Sequence, residues 1–316
     1  MTHDVLVEVE GLYRYYGPHC AVRDVSFTLR KGEVLGFLGP NGAGKSTTMH
    51  MIAGCLAPSA GRIRIAGLDL LDEPEAAKAR IGYLPEQPPV YPELTVDEYL
   101  DYCARLKGIP RSRRRTARDE AKARCGLADS GRRLIGNLSK GYQQRVGIAQ
   151  AILHAPAVVI LDEPTVGLDP IQIREIRTLI AELGREHGVI LSTHILPEVQ
   201  AVCSRVQIIH KGRLVFSDAV TALATRQSSD ATVVGLRRPP AAETLAALPG
   251  ITAAEPLGEG RFRLRHADGA EPGERIAERA AAEGWGLFEL APERKSLEQI
   301  FVELTTADEV VEKEAA

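Results

Sequence analysis

The sequence has no excess of one charge sign, no close pair of cysteines and no long apolar run. Lys and Arg number 39 against 42 Asp and Glu, a formal net charge of −3. No global field therefore favours nucleic acid as a partner. The five cysteines, Cys20, Cys55, Cys103, Cys125 and Cys203, are scattered and odd in number. That spacing suits neither a zinc site nor a disulfide framework, and fits reduced thiols in a cytoplasmic protein. Met1–Glu10 lacks a basic patch followed by an apolar segment, so no signal peptide is expected. No run approaches the ~18 apolar residues of a spanning helix, so the chain is not expected to cross a membrane by itself. No internal repeat is evident.

What is there suits an ordinary globular chain. With 316 residues, 44% of them hydrophobic, it can bury a core without staples. Val5–Val9, Val25–Leu29 and Arg62–Ala66 alternate apolar and polar residues as half-buried strands do. Glu33–Leu38 is a continuous apolar run, followed by a glycine-rich stretch and a helix through Cys55. Thr95, with Glu98 three residues later, predicts a capping box ahead of helically spaced Val96, Tyr99, Leu100, Cys103 and Leu106. Gly108 and Pro110 stop that helix, and a second covers Arg111–Arg124. Residues from about 88 to 155 thus read as a helical insert in an α/β domain. Strands are expected at Ala157–Asp162 and Val189–Thr193, a helix at about Pro170–Glu186, and a hairpin at Val206–Phe216 around Lys211-Gly212. A polar stretch, Thr225–Asp230, marks a boundary near 222. Beyond it the pattern reads strand 232–236, helix 240–248, strands 251–256 and 261–265, helix 272–283 and strand 286–291, with Ser296–Leu304 as a closing helix. Trp285 is expected in the core of this part. The domains expected are 1–222, a C-terminal α+β domain at 223–306 and an acidic tail at 307–316 that frays.

Two motifs carry chemistry. Gly39, Pro40, Asn41, Gly42, Ala43, Gly44, Lys45, Ser46 and Thr47 match G-x-x-x-x-G-K-[ST] between a strand and a helix. Glycines let consecutive N–H groups point at phosphate oxygens, and the helix N-terminus adds partial positive charge. Lys45 would reach the β- and γ-phosphates of ATP, and Ser46 would ligate Mg²⁺. The second motif, Val158-Val-Ile-Leu-Asp-Glu163, is an apolar strand that delivers two carboxylates to its C-terminal end. Asp162 would hold Mg²⁺ and Glu163 would act as general base on water.

Between them lies Leu138-Ser-Lys-Gly-Tyr-Gln-Gln-Arg145. Here the sequence resembles the ATP-binding-cassette (ABC) family over about residues 5–218. The family's signature usually reads L-S-G-G-Q. Lys140 and Tyr142 depart from it, and L-S-K-G-Y resembles the ABC-2-type exporter branch. The resemblance implies an α/β P-loop cassette with a mixed-sheet core, an antiparallel N-terminal subsheet and a helical insert. It implies that Tyr16, or alternatively Tyr15, stacks on adenine. Gln87 would contact Mg²⁺ and water, Asp169 would lie in a loop crossing between two cassettes, and His194 would contact the γ-phosphate. Ser139 and Gly141 would reach ATP on an opposite subunit, making a head-to-tail dimer with itself or a similar cassette. An integral-membrane permease of ABC-2 type would take its push from the segment around Tyr91–Leu100. The protein would then work at the cytoplasmic face of the cell membrane, without nucleic acid. Arg111–Arg115 reads as a solvated helix start. The end of the chain, from Lys295 on, also resembles exporter ATPases, and there would pack on the cassette or its twin. Two other readings are a soluble regulatory cassette acting on ribosomes or DNA, and a scaffold without turnover. The first usually brings a second cassette or long coiled coils; the second would need Glu163 or Lys45 to be lost.

Overall fold

The computed structural model describes residues 5–225, 228–267 and 272–294. Contacts divide the chain into two compact units, with the division between Val220 and Thr221. The first unit opens with β1 (Val5–Tyr16) and β2 (His19–Arg30), then β3 (Val34–Leu38), α1 (Lys45–Ile52), β4 (Ala60–Ile65), β5 (Leu68–Asp69) and α2 (Pro74–Lys78). It continues through β6 (Ile81–Leu84), α3 (Val96–Leu106), α4 (Arg111–Arg124), α5 (Lys140–Ile152) and β7 (Val158–Asp162). Then follow α6 (Pro170–Leu183), β8 (Gly188–Thr193), α7 (Leu196–Val202), β9 (Arg205–His210), β10 (Arg213–Ala219) and the short α8 (Val220–Thr225) at the division.

An antiparallel sheet runs β2-β1-β4-β5, and a mixed sheet runs β10-β9-β3-β8-β7-β6. In the mixed sheet β9, β3, β8, β7 and β6 are parallel, and only β10 is antiparallel. Its central strands β3, β8 and β7 are apolar up to their carboxyl ends because both faces are covered. Alternate side chains divide between two cores, as a period of two demands. Leu35, Phe37, Val158, Ile160 and Ile190 join the core beneath the antiparallel sheet and α1. Val34, Val159, Leu161, Val189 and Leu191 join the core built with the helical insert. The insert begins as its sequence predicts: Thr95 N donates to Glu98 Oε2 at 2.9 Å, and Glu98 N donates to Thr95 Oγ1 at 3.3 Å. The runs β6, α2 and α7 have no counterpart in the sequence reading. Each is short, and β6 has no alternation to betray it.

The second unit comprises β11 (Ser228–Leu236), α9 (Ala242–Ala246), β12 (Ile251–Gly258), β13 (Arg261–His266), α10 (Gly273–Ala282) and β14 (Leu287–Arg294). The β-α-β-β-α-β order with antiparallel strands ranked β12-β13-β11-β14 is the ferredoxin-like arrangement. Val234, Leu236, Phe262, Leu264 and Trp285 form its core with Leu245 of α9 and Ile276 of α10. The helix expected at Ser296–Leu304 and the tail at 307–316 lie outside the described residues. Among the described residues no helix is long and apolar enough to cross a membrane.

Candidate functional site

Three adjacent strands, β3, β8 and β7, end side by side, and the loops that leave them carry the candidate residues. Ligand sites in parallel sheets form at such carboxyl ends. Leu38 lies level with Thr193, and Asp162 with Ser192. The turn after β3 wraps into the N-terminus of α1, with φ of 78° at Gly42 and 107° at Gly44. A Cβ on Gly44 would stand 2.6 Å from the Ala21 carbonyl, so only glycine fits. No acidic residue occupies the first turn of α1, which leaves its partial positive charge uncompensated.

Lys45 is 5% exposed. Its Nζ donates to the carbonyls of Gly39 at 2.9 Å and Pro40 at 3.2 Å, and lies 3.4 Å from Glu163 Oε1. The other carboxylate oxygen, Oε2, is 2.9 Å from His194 Nδ1. An ionised carboxylate only accepts, so Nδ1 carries the proton and Nε2 is left for another partner. Glu163 holds φ at 49°, in the left-handed region that a glutamate rarely adopts. Its N–H is anchored on Ser192 O at 2.9 Å. A strained residue at a strand end, braced by its neighbour, is a frequent mark of a working site. Asp162 lies deeper, 1% exposed, and its Oδ1 has no hydrogen-bond partner. Burial, with the Asp162 charge as a second cause, pushes the Tyr83 phenol well above its usual range.

Lys45, Glu163 and His194 line a cleft of about 530 Å³. The structure brings Tyr16, Asn41, Gly42 and Gly44 into its wall, with Lys45, Ser46 and Thr47. Glu163 and His194 are in the wall as well, whereas Gly39, Pro40, Ala43 and Asp162, also expected at the nucleotide, are not. Of the two tyrosines, Tyr16 faces the cleft; its ring carries the Arg14 guanidinium 4.8 Å from the centroid. Tyr15 stacks instead on Tyr13 at 6.2 Å. Gln87, expected against the metal, is exposed and outside the cleft wall, whereas its neighbour Glu86 is in it. Both residues lie in a bend past the end of β6. Residues His19, Ala21, Glu86 and Val166 of the wall were not singled out from the sequence.

Three expected contacts lie away from this cleft. Ser139 is exposed and caps α5, accepting from Tyr142 N at 3.5 Å. Gly141 is buried, and a Cβ there would come within 2.2 Å of the Gln172 amide oxygen on α6. Asp169 caps α6, accepting from the N–H groups of Ile171 at 3.0 Å and Gln172 at 2.9 Å.

The profile of the ABC transporter family matches residues 22–166. The ABC transporter ATP-binding protein NatA of Bacillus subtilis (strain 168) is 42% identical over 212 residues, 66% of this chain and 86% of that protein. The chain belongs to the ABC transporter ATP-binding family. Another relative, the ABC transporter ATP-binding protein YdbJ of the same organism, is 34% identical over 305 residues, 96% of each chain. This second relative therefore spans the ferredoxin-like unit as well. Among solved structures, cbiO1 from Clostridium perfringens, part of the ABC transporter complex cbiONQ, superposes with a TM-score of 0.65 at 30% identity. It covers 70% of this chain and 91% of its own. The cassette's mixed sheet, antiparallel subsheet and helical insert agree with the fold expected from the signature motif.

Proposed function

We propose that this cassette binds and hydrolyses ATP as the motor subunit of an ABC-2-type export complex, driving a separate membrane permease. The single observation that carries the reading is the chain of contacts Lys45–Glu163–His194 at the mouth of a glycine-rich phosphate loop. Loop amides at Gly42–Ser46 and Lys45 Nζ hold the phosphates, and Tyr16 lies beneath the adenine. Anionic phosphates compete with Glu163 for Lys45, and a carboxylate released from its ion pair can take a proton from water. His194 holds that carboxylate in orientation through Nδ1 and presents Nε2 to the cleft. Removing a positioned general base of this kind costs ~10²–10⁴-fold in rate.

Two hard oxygen donors suit Mg²⁺, which binds through one or two carboxylates together with substrate phosphates. Ser46 Oγ and Asp162, whose orphaned buried Oδ1 lacks any partner, are the residues that would hold it. When bound, the ion supplies charge neutralisation on the phosphates. Glu86 is in the wall and Gln87 is not, so Glu86 is the side chain that would stand beside the metal and water.

Ser139 is exposed and absent from the cleft of its own subunit, which supports a role on nucleotide held by an opposite one. ATP then joins two cassettes head to tail, as a homodimer or with a similar subunit. Around α3, Tyr91 and Tyr102 pack edge-on at 5.8 Å and remain 44% and 41% exposed, with Leu106 at 69%. Exposed aromatics of this kind suit a partner helix, here one supplied by the permease at the cytoplasmic face of the membrane. The L-S-K-G-Y signature supports export as the direction.

Glu163→Gln tests the reading. The variant keeps ATP binding, loses ~10²-fold or more of turnover, and accumulates an ATP-bound dimer visible by light scattering. Unchanged steady-state turnover would remove Glu163 from the chemistry.

A further inference from the structure

Glu198 takes no part in the chemistry above, yet it is a carboxylate 1% exposed, on α7. Burying a charge is costly unless it is paired and hydrogen-bonded. Both of its oxygens are satisfied. Oε1 accepts a hydrogen bond from Thr165 Oγ1, and Oε2 accepts from Thr193 Oγ1 at 2.8 Å. Arg177 Nη2, on α6, lies 3.8 Å from Oε1. The Thr193 hydroxyl is used twice, since it also accepts from Ile195 N at 3.0 Å.

The placement of those two threonines is the telling point. Thr165 lies two residues after Glu163, in the turn that leaves β7. Thr193 is the last residue of β8 and directly precedes His194. One side chain therefore ties together the two turns from which the Glu163 carboxylate and the His194 imidazole hang, 2.9 Å apart. Glu163 adds its own strain, with φ at 49°. A strained residue persists only where its surroundings over-determine it, and the Thr165–Glu198–Thr193 link supplies such a constraint from below. A leucine would fill similar space without a buried charge, but would leave two buried hydroxyls without their acceptor.

We propose that Glu198 is a positioning residue for ATP hydrolysis, a brace that fixes the separation and aim of Glu163 and His194. It rests on the hydrolysis reading and deepens it. Misplacing a reacting group by about 1 Å can cost ~10²-fold in rate with no loss of contact to the substrate. The brace touches neither nucleotide nor phosphate loop, so its loss reads out in kcat rather than in binding.

The test uses the purified full chain with Mg²⁺ and ATP, wild type and Glu163→Gln alongside. Glu198→Leu should lower kcat by ~10–100-fold, while KM for ATP and the Kd of a fluorescent ATP analogue stay within ~3-fold of wild type. Glu198→Gln keeps the shape and can still accept one hydroxyl bond and donate in another, and should restore kcat to within ~5-fold of wild type. Thr193→Val, a gentler lesion should Glu198→Leu fail to fold, should show the same split between kcat and binding. Thr193→Val added to Glu198→Leu should cost little more, because both break one link. The proposal is overturned if kcat stays within ~3-fold in Glu198→Leu and Thr193→Val, or if binding falls in step with kcat. If wild type turns over and Glu163→Gln does not, such a result removes only the brace. If wild type releases no phosphate at all, the hydrolysis reading and the brace fall together.

Discussion

The two units of this chain handle charge in opposite ways. In the first, β3, β7 and β8 are buried on both faces, and charged groups gather where those strands end. Lys45, Asp162 and Glu163 are there 5%, 1% and 6% exposed. In the second, helices cover one face of the sheet, and charges spread over the other. Arg261, Arg263 and Arg265 alternate along β13 and pair with Glu289, with Glu293 and Glu255, and with Glu255. The chemistry of the pairs is the same, and the energetics are not. An exposed ion pair contributes ~0–1 kcal/mol, whereas breaking a buried one leaves a charge with nothing to offset its burial. Costly placement at the strand ends sets the first group apart, and is what a site held for use would require. The second set keeps an open sheet face soluble and self-satisfied.

The sharpest break in this comparison is Lys45→Ala. It strands Glu163 in the cleft floor with only His194 beside it, and should cost ~3 kcal/mol of folding stability. It also removes a charge-assisted contact to phosphate worth ~1.5–3 kcal/mol, so ATP affinity should fall roughly 10–150-fold. Thermal melting with and without Mg²⁺-ATP reads both effects. Wild-type affinity in the variant would mean that the loop does not hold phosphate.

Acid should separate the units next. Burial, and then the Lys107 charge, depress the His154 pKa to about 4, while its Nε2–H donates to Ile81 O at 3.1 Å. The unfolded chain binds that proton near pH 6.5 and the folded one does not. Stability from this site is therefore complete above pH 6.5 and falls, by up to ~3 kcal/mol, as pH drops towards 4. In the second unit hydrogen bonds from Arg265 and then Arg263 hold Glu255 below the usual carboxylate range. That contribution is present above the ordinary carboxylate pKa and is lost only at lower pH, as Glu255 is protonated. Trp285 is the single tryptophan and sits in the second core. Its fluorescence should keep a constant melting midpoint between pH 6.5 and 5, while the main circular-dichroism transition moves down. His154→Gln should flatten that slope. A parallel decline in both signals would show that the units do not differ as stated.

Within the cleft, Glu86→Ala and Gln87→Ala separate two neighbours. Glu86 lines the cleft and Gln87 does not. Glu86→Ala should raise the Mg²⁺ concentration needed for half-maximal nucleotide binding by ~10-fold, about the value of one charged contact. Gln87→Ala should shift it by less than ~2-fold, the scale of an exposed substitution. The reverse order would return the role to Gln87.

Much of this architecture was legible in the sequence, for physical reasons that differ by region. The phosphate loop could be read because one backbone geometry demands glycine at set positions. The strand Val158–Asp162 could be read because burial on both faces leaves no polar residue until its end. In the ferredoxin-like unit β13 shows why a strand can be read, since its buried Phe262 and Leu264 alternate with arginines. What escaped was short or indirect. Ile81–Leu84 has four residues and no alternation, and Gln87 just beyond it was named from the family resemblance alone. Glu198 carries no motif, because its meaning lies in Thr165 and Thr193, brought to it from two other elements. Tyr16, preferred to Tyr15 from the resemblance, is the one of the two that lies in the cleft wall.

The smallest effect belongs to the open face. Arg263 donates from Nε to Glu293 at 2.8 Å and from Nη1 to Glu255 at 3.3 Å, across a position where β11 carries only Val233. Its side chain is 31% exposed, so water can replace either partner when it is removed. Arg263→Ala should therefore cost ~0.2–1 kcal/mol, seen as a slight drop in the Trp285 fluorescence midpoint and diminished further by salt. ATP turnover should not change, because neither partner belongs to the cleft. A loss as large as that of Lys45→Ala would mean that this face is held as tightly as the strand ends. The contrast between charges kept for chemistry and charges kept for solubility would then fail.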